Sequence, residues 1–133
     1  MVAIWCGVPF LAVGDVPECP RATEIQAHYA VPKLRTWEAL HGAYRKYRNC
    51  DDGAIAEGFA DAVGTLLAER WEAFPRGAKL MERDSTFRAF VLRRHLGEIT
   101  PQIRWVEILE NASRHCPSQH KTICDEILKA NDG

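Results

Sequence analysis

The sequence has no excess of charge of either sign. Seventeen Lys and Arg stand against 18 Asp and Glu, a formal net charge of −1. A surface built mainly to grip phosphate backbones carries a basic excess, so this balance argues against a nucleic-acid partner. No apolar run reaches the roughly 20 residues that a membrane-spanning helix needs. The uncharged stretch at residues 2–13 is shorter than that. Strand-like alternation, internal repeats and low-complexity segments are missing. So are a Gly-x-Ser-x-Gly elbow, a phosphate-cradling loop, a dinucleotide fingerprint, a metalloprotease helix pair and a Cys-x-x-Cys redox pair. These absences remove the common enzyme classes that a short motif would betray. A composition 47% hydrophobic and 26% charged is that of a soluble globular chain. At 133 residues it has room for one domain.

What is present is helical periodicity. Residues 14 to 35 carry Gly14, Pro17, Pro20 and Pro32 and read mostly as loop, with a short helix from Ala22 to Tyr29. A first clear helix is expected from Thr36, its N-cap, to Arg48, with Trp37, Leu40, Ala43, Tyr44 and Tyr47 on one face. A second and longest helix is expected from Asp52 to Phe74, with Asp51 and Asp52 before its first turn. Ile55, Phe59, Ala62, Val63, Leu66, Leu67, Trp71 and Phe74 make its apolar arc, and Pro75 and Gly77 stop it. A third runs from Ser85 to Leu96, capped by Asp84 or Ser85, apolar on two sides, with Gly97 at C′. A fourth opens on Thr100 and Pro101 and turns Trp105, Val106, Ile108, Leu109, Ala112 and Cys116 inward. On this reading Glu107, Glu110, Asn111 and Arg114 face away. After Pro117, Ser118 caps a fifth helix, with Ile123, Cys124, Ile127 and Leu128 on its apolar side.

The amino-terminal apolar stretch has the length of a signal-peptide core and ends in the small-x-small pattern Ala12-Val13-Gly14. No Lys or Arg precedes it, which would place a basic leader upstream of Met1. The other reading is an apolar arm packed on the core. The five cysteines are Cys6, Cys19, Cys50, Cys116 and Cys124. Cleavage after Gly14 removes Cys6 and leaves an even four, enough for two disulfides. An odd five argues instead for thiols in a reducing compartment.

Three clusters could carry chemistry. In the first, Cys116 and Cys124 lie on the apolar faces of helices joined by a tight turn, so their sulfurs could meet. A disulfide, two buried thiols and a metal site with His120 as third ligand compete there. In the second, Asp51, Asp52, Glu57 and Asp61 gather carboxylates around one helix start. Glu57 and Asp61 are adjacent at i, i+4, where one could serve as general base, and a solvated acidic face is the plainer reading. The spacing lacks the alternating ligands and closing Glu of a calcium loop. Cys50, just ahead, is either a reactive thiol or the partner of Cys19. The third is a pair of arginines, Arg70 and Arg94, that project into apolar arcs. Each must snorkel to water, pair with a carboxylate or hold an anionic ligand. Arg88, Arg93, Arg94 and His95 read together as a solvated basic face.

The stretches Cys50-Asp51-Asp52-Gly53 through Glu57-Gly58-Phe59, Phe90-Val91-Leu92 with His95, and Cys116-Pro117 with Cys124 resemble small helical proteobacterial proteins of uncharacterised activity, often exported. The resemblance spans about the last two-thirds of the chain. It implies a helical fold and an export setting, and no mechanism or catalytic residue.

The expectation is therefore an all-α, single-domain bundle of about five helices over residues 15–133. Residues 1–14 are either a truncated signal peptide or an apolar arm. The expected setting is periplasmic or secreted, with the cytoplasm as the alternative. The expected role is protein binding, in a concrete form as an inhibitor or immunity-type protein, with Asp51, Asp52, Glu57 and Asp61 as the candidate surface. The disulfide candidates are Cys116 with Cys124 and Cys19 with Cys50. No cofactor is called for. The alternative is a small metal- or thiol-dependent enzyme built on Cys116, His120 and Cys124.

Overall fold

The computed structural model describes residues 18–99 and 101–130. The apolar stretch 2–13, Cys6 and the proposed Thr100 cap lie outside the described residues. Within them the chain is all helical and has no strand. Seven α-helices are formed, two more than expected: α1 Arg21–Ala30, α2 Trp37–Tyr47, α3 Gly53–Glu69, α4 Phe74–Arg83, α5 Ser85–Ala89, α6 Gln102–Arg114 and α7 Lys121–Ala130. Short 3₁₀ turns join several of them, and a π-helical segment, Phe90–His95, continues α5.

Of the two beyond five, α1 is the short helix read over Ala22 to Tyr29, and only α4 is unexpected. The long helix expected from Asp52 to Phe74 ends at Glu69, because Arg70 leaves helical geometry at φ −130°, ψ 45°. A 3₁₀ turn, Trp71–Ala73, then reverses the chain into α4. Pro75 does not stop a helix; it sits in the first turn of α4. Proline lacks an N–H, and the first turn of a helix leaves its N–H groups without intrahelical partners, so the same residue serves as stop or start. Gly77 lies inside α4 because the Trp37 ring fills the place of its missing side chain: a Cβ there would sit 2.3 Å from the indole. Gly97 is likewise no left-handed cap. The only positive φ among the described residues is at Gly53, 52°, the first residue of α3.

Three caps are where the side chains predict them; Ser118 is not a fourth, because it lies in a 3₁₀ turn, Ser118–His120, that precedes α7. Thr36 accepts from the Ala39 N–H at 3.1 Å and starts α2. Asp52 accepts from Gly53 at 2.9 Å and starts α3. Asp84 accepts from Thr86 and Phe87 and starts α5. Each satisfies N–H groups that the first helical turn leaves without partners.

Helix α3 is the axis of the molecule. Ile55, Phe59, Ala60, Ala62, Val63, Leu66 and Leu67 are buried along it. It packs on α6, on the π-helical segment and on the turn Val31–Lys33. Gly58 admits Val31, and Gly64 admits Arg104 and Ile99. Around this axis α2 packs on α4, α4 on α5, and α6 on α7. One aromatic cluster of Tyr44, Phe59, Phe87 and Phe90 joins α2, α3, α5 and the π-helical segment. Two disulfides close the structure, Cys19–Cys50 and Cys116–Cys124, with Cα separations of 5.0 and 6.2 Å.

Candidate functional site

The π-helical segment decides which of Arg94 and His95 faces inward. An α-helix advances 100° per residue, and the wider π turn advances less. Arg94, expected among Phe87, Phe90 and Val91, is rotated out and half exposed. His95, expected on a solvated basic face, is rotated in and 0% exposed. It packs against Phe59 and the edge of Phe90. The basic face is dispersed further: Arg88 is half-buried and pairs with Glu126, while Arg93 and Arg94 stay exposed.

Asp51 receives both side chains. His95 Nε2 lies 3.0 Å from each carboxylate oxygen and hydrogen-bonds Oδ2. Arg94 Nε donates to the same oxygen at 3.2 Å, and another guanidinium nitrogen donates to the Asp51 carbonyl at 3.2 Å. Asp51 is thereby 11% exposed. It ties the turn after Cys50 to the π-helical segment, 43 and 44 residues away. Of the arginine readings, Arg94 takes the ion pair. Arg70 is simply exposed at the end of α3.

The four carboxylates considered as one surface are therefore divided. Asp51 is turned inward and Asp52 caps α3. Glu57 and Asp61 remain on the outside, where with Ala56, Ala60 and Glu98 they line a shallow cleft of about 330 Å³. Its lining mixes two alanines with three carboxylates. Asp61 is bridged by Arg104 at 2.9 Å, and Arg104 also approaches Glu69 at 3.5 Å. Glu98 is 3.5 Å from Arg94.

Arg104 and Asn111 were not foreseen as inward residues. They are seven apart on α6 and flank Ile108 at i, i+4 and i+3, so helical geometry puts all three on one face. Polarity concealed this. Asn111, expected to face away, donates its amide to the carbonyls of Leu67 and Ala68 at 2.9 and 3.3 Å. These belong to the last turn of α3, whose carbonyls have no intrahelical partner. Val106, expected inward, is exposed.

At the other end, the Cys116–Cys124 bond takes both sulfurs that a metal would need. The third candidate ligand, His120, is buried and bonds Glu82 through Nδ1 at 2.9 Å. Among the described residues no group of His, Cys, Asp and Glu is arranged to hold a metal ion. The alternative ligand set is not assembled. The bond instead borders a groove of about 370 Å³ lined by Ala112, Ser113, Lys121, Asp125 and Leu128, among others.

A fourth polar group links α2 to α5. His41 Nε2 meets Asp84 Oδ2 at 2.9 Å, and Thr86 donates to Asp84 Oδ1 at 2.8 Å. Tyr44 donates to the Thr86 hydroxyl at 2.6 Å. The hydrogen bond to His41, followed by that from Thr86, holds the Asp84 carboxyl down at about 2, against a smaller opposing effect of burial. Among the described residues no helix is long and apolar enough to cross a membrane.

No protein-family model matches this chain, and comparison with curated proteins and with solved structures returns no match.

Proposed function

We propose that this is an exported helical protein, periplasmic or secreted, that acts by binding another protein. The observation that carries the reading is the pair of disulfides, Cys19–Cys50 and Cys116–Cys124. Such bonds form and persist in oxidising compartments and are rare where glutathione and thioredoxin keep thiols reduced. The side chains with the most pronounced polar partnerships, Asp51, His95, Asp84 and His120, tie elements of the fold together. What faces outward is the cleft lined by Glu57, whose carboxylate suits a Lys or Arg side chain of a partner; Asp61 and Glu98 beside it are already bridged by Arg104 and Arg94. A small stapled scaffold of this kind fits an inhibitor or immunity-type role, in which a rigid surface caps an enzyme or toxin.

The test has two parts. Fractionation of the native host should recover the protein outside the cytoplasm, with Cys19, Cys50, Cys116 and Cys124 resistant to alkylation until reduced. Native co-purification at μM concentration should then yield a partner that the charge-reversed variant Glu57→Lys releases. Recovery in the cytoplasm with free thiols removes the export half. A partner retained undiminished by Glu57→Lys removes the cleft.

A further inference from the structure

Helix α1 is thinly packed. Of its ten residues only Ala27 is buried, with Thr23 and Ala30 half-buried. A helix of that length is marginal in water on its own, and in a fold its stability comes mostly from burying one face. The inner face of α1 supplies little of that. Its outer face carries apolar side chains that nothing described covers. Ala22, Ile25 and Tyr29 follow one another at i, i+3 and i+7 and form one stripe. All three are exposed, Ile25 at 47% and Tyr29 at 69%. The other large apolar side chains exposed among the described residues, Ile103 and Val106, stand on α6. That helix is anchored without a cover: it buries Ile108 and Ala112 and is tied to α3 by Arg104 and Asn111.

The chain enters α1 from its uncharged amino-terminal stretch. Residues 2–13 lie ahead of Gly14, Asp15, Val16 and Pro17, and the described structure begins at Glu18. Glycine and proline are residues that turns use. From Ala22 to Tyr29 the stripe is about 10 Å long, at the helical rise of about 1.5 Å per residue. Extended chain advances about 3.3 Å per residue, so four or five residues cover it. A reversal within residues 14–17 brings Pro9-Phe10-Leu11-Ala12-Val13 antiparallel onto the stripe. Gly7 and Pro9 are poor helix formers, and extended backbone is what this reach requires. The Cys19–Cys50 bond pins the root of the segment to the core. A segment tethered so closely meets its site at high effective concentration, which lets a small apolar contact hold.

We propose that the outer stripe of α1 is the docking site of the chain's own amino-terminal apolar segment, with residues 9–13 laid over Ala22, Ile25 and Tyr29. The contact is apolar on both sides, so its driving force is the removal of that surface from water. It gives α1 the second packed face that its inner side lacks. The inference does not rest on the export reading, and the two fail on different results.

The test uses the full oxidised chain. Two disulfides take four of the five cysteines, so a maleimide spin label is directed to Cys6 without any substitution. Paramagnetic broadening is then read on the backbone amide signals by NMR. The expected result is loss of the Ile25, Gln26 and Tyr29 signals, stronger than at Ile103 and Val106, and their return when the label is reduced. The double variant Ile25→Ser/Tyr29→Ser should release the segment and restore the Gln26 signal with the label still active. Both substitutions are at exposed positions, and an otherwise unchanged spectrum shows that the fold is kept. Broadening that the double variant leaves undiminished comes from the tether alone and overturns the proposal. So does broadening centred on α6. In a mixed sample, isotope-labelled chains with Cys6 blocked by N-ethylmaleimide are combined with spin-labelled chains that carry no isotope. Loss of signal there makes a second copy the occupant and overturns the proposal as well. Native protein whose mass begins at Asp15 has no segment to dock; that result overturns this proposal and leaves the export reading standing.

Discussion

The two ends of this molecule are stapled by the same chemistry to different effect. Cys19–Cys50 closes a loop of 31 residues and holds α1 and α2 against each other. Cys116–Cys124 closes a loop of only eight, across a hairpin of α6 and α7 that already packs together. In the chain-entropy model the longer loop is worth about 3.7 kcal/mol and the shorter about 2.5 kcal/mol. The first staple also stands beside the Asp51–His95–Arg94 knot, so covalent and polar links to the same turn reinforce each other. The second stands beside an open groove. A disulfide's position thus says more about its role than its presence does: one joins elements 31 residues apart, and the other closes a local hairpin.

The largest expected effect is at the first staple. The double variant Cys19→Ser/Cys50→Ser should lose about 3–4 kcal/mol in urea unfolding, against about 2–3 kcal/mol for Cys116→Ser/Cys124→Ser. A larger loss at the second staple would reverse the comparison. Next comes the knot. Asp51→Ala leaves the buried His95 donor without a partner and should destabilise by about 2–3 kcal/mol, measured the same way. If the knot and the first staple act on one turn, combining Asp51→Ala with the Cys19/Cys50 variant should be non-additive; combining it with the Cys116/Cys124 variant should be additive. Smaller again is Asn111→Ala, which frees the last carbonyls of α3 and should cost about 1 kcal/mol by thermal or urea unfolding.

The acid response sharpens the comparison from a third place. The Asp84 carboxyl is held below its ordinary value by His41 and Thr86, at about 2. A carboxyl depressed in the fold contributes stability that is present above the unfolded value of 3.8 and lost as pH falls towards 2. Urea midpoints should therefore decline between pH 4 and pH 2. In His41→Ala that decline should be shallower, because the largest cause of the depression is gone.

Much of this architecture was legible in the sequence, for physical reasons that differ by element. The α2 face of Trp37, Leu40, Ala43, Tyr44 and Tyr47 is buried as its spacing predicts, because packing against one neighbour preserves simple amphipathic periodicity. Thr36, Asp52 and Asp84 announced their helices because a cap is a local interaction. The break at Arg70 and the restart at Pro75 were not legible, since proline reads the same way at both events. The inward turn of His95 was hidden by the π-helical segment, which no periodicity of 3.6 can register. The inward turn of Asn111 was hidden for a simpler reason. Its polarity suggested solvent, while its position relative to Ile108 placed it inside. The acidic cluster was visible as composition. Its division into an inward-turned Asp51, a capping Asp52 and an exposed Glu57 and Asp61 required the tertiary structure.

The account rests most directly on the covalent pairing, and mass mapping of the protein recovered from its native host tests it. The protein is alkylated at harvest, digested without reduction, and its cross-linked peptides are identified. The result expected is Cys19 joined to Cys50 and Cys116 joined to Cys124, with none of the four alkylated before reduction. Free thiols at these positions, or a crossed pairing such as Cys50 with Cys116, would contradict both the two-staple architecture and the export reading built on it.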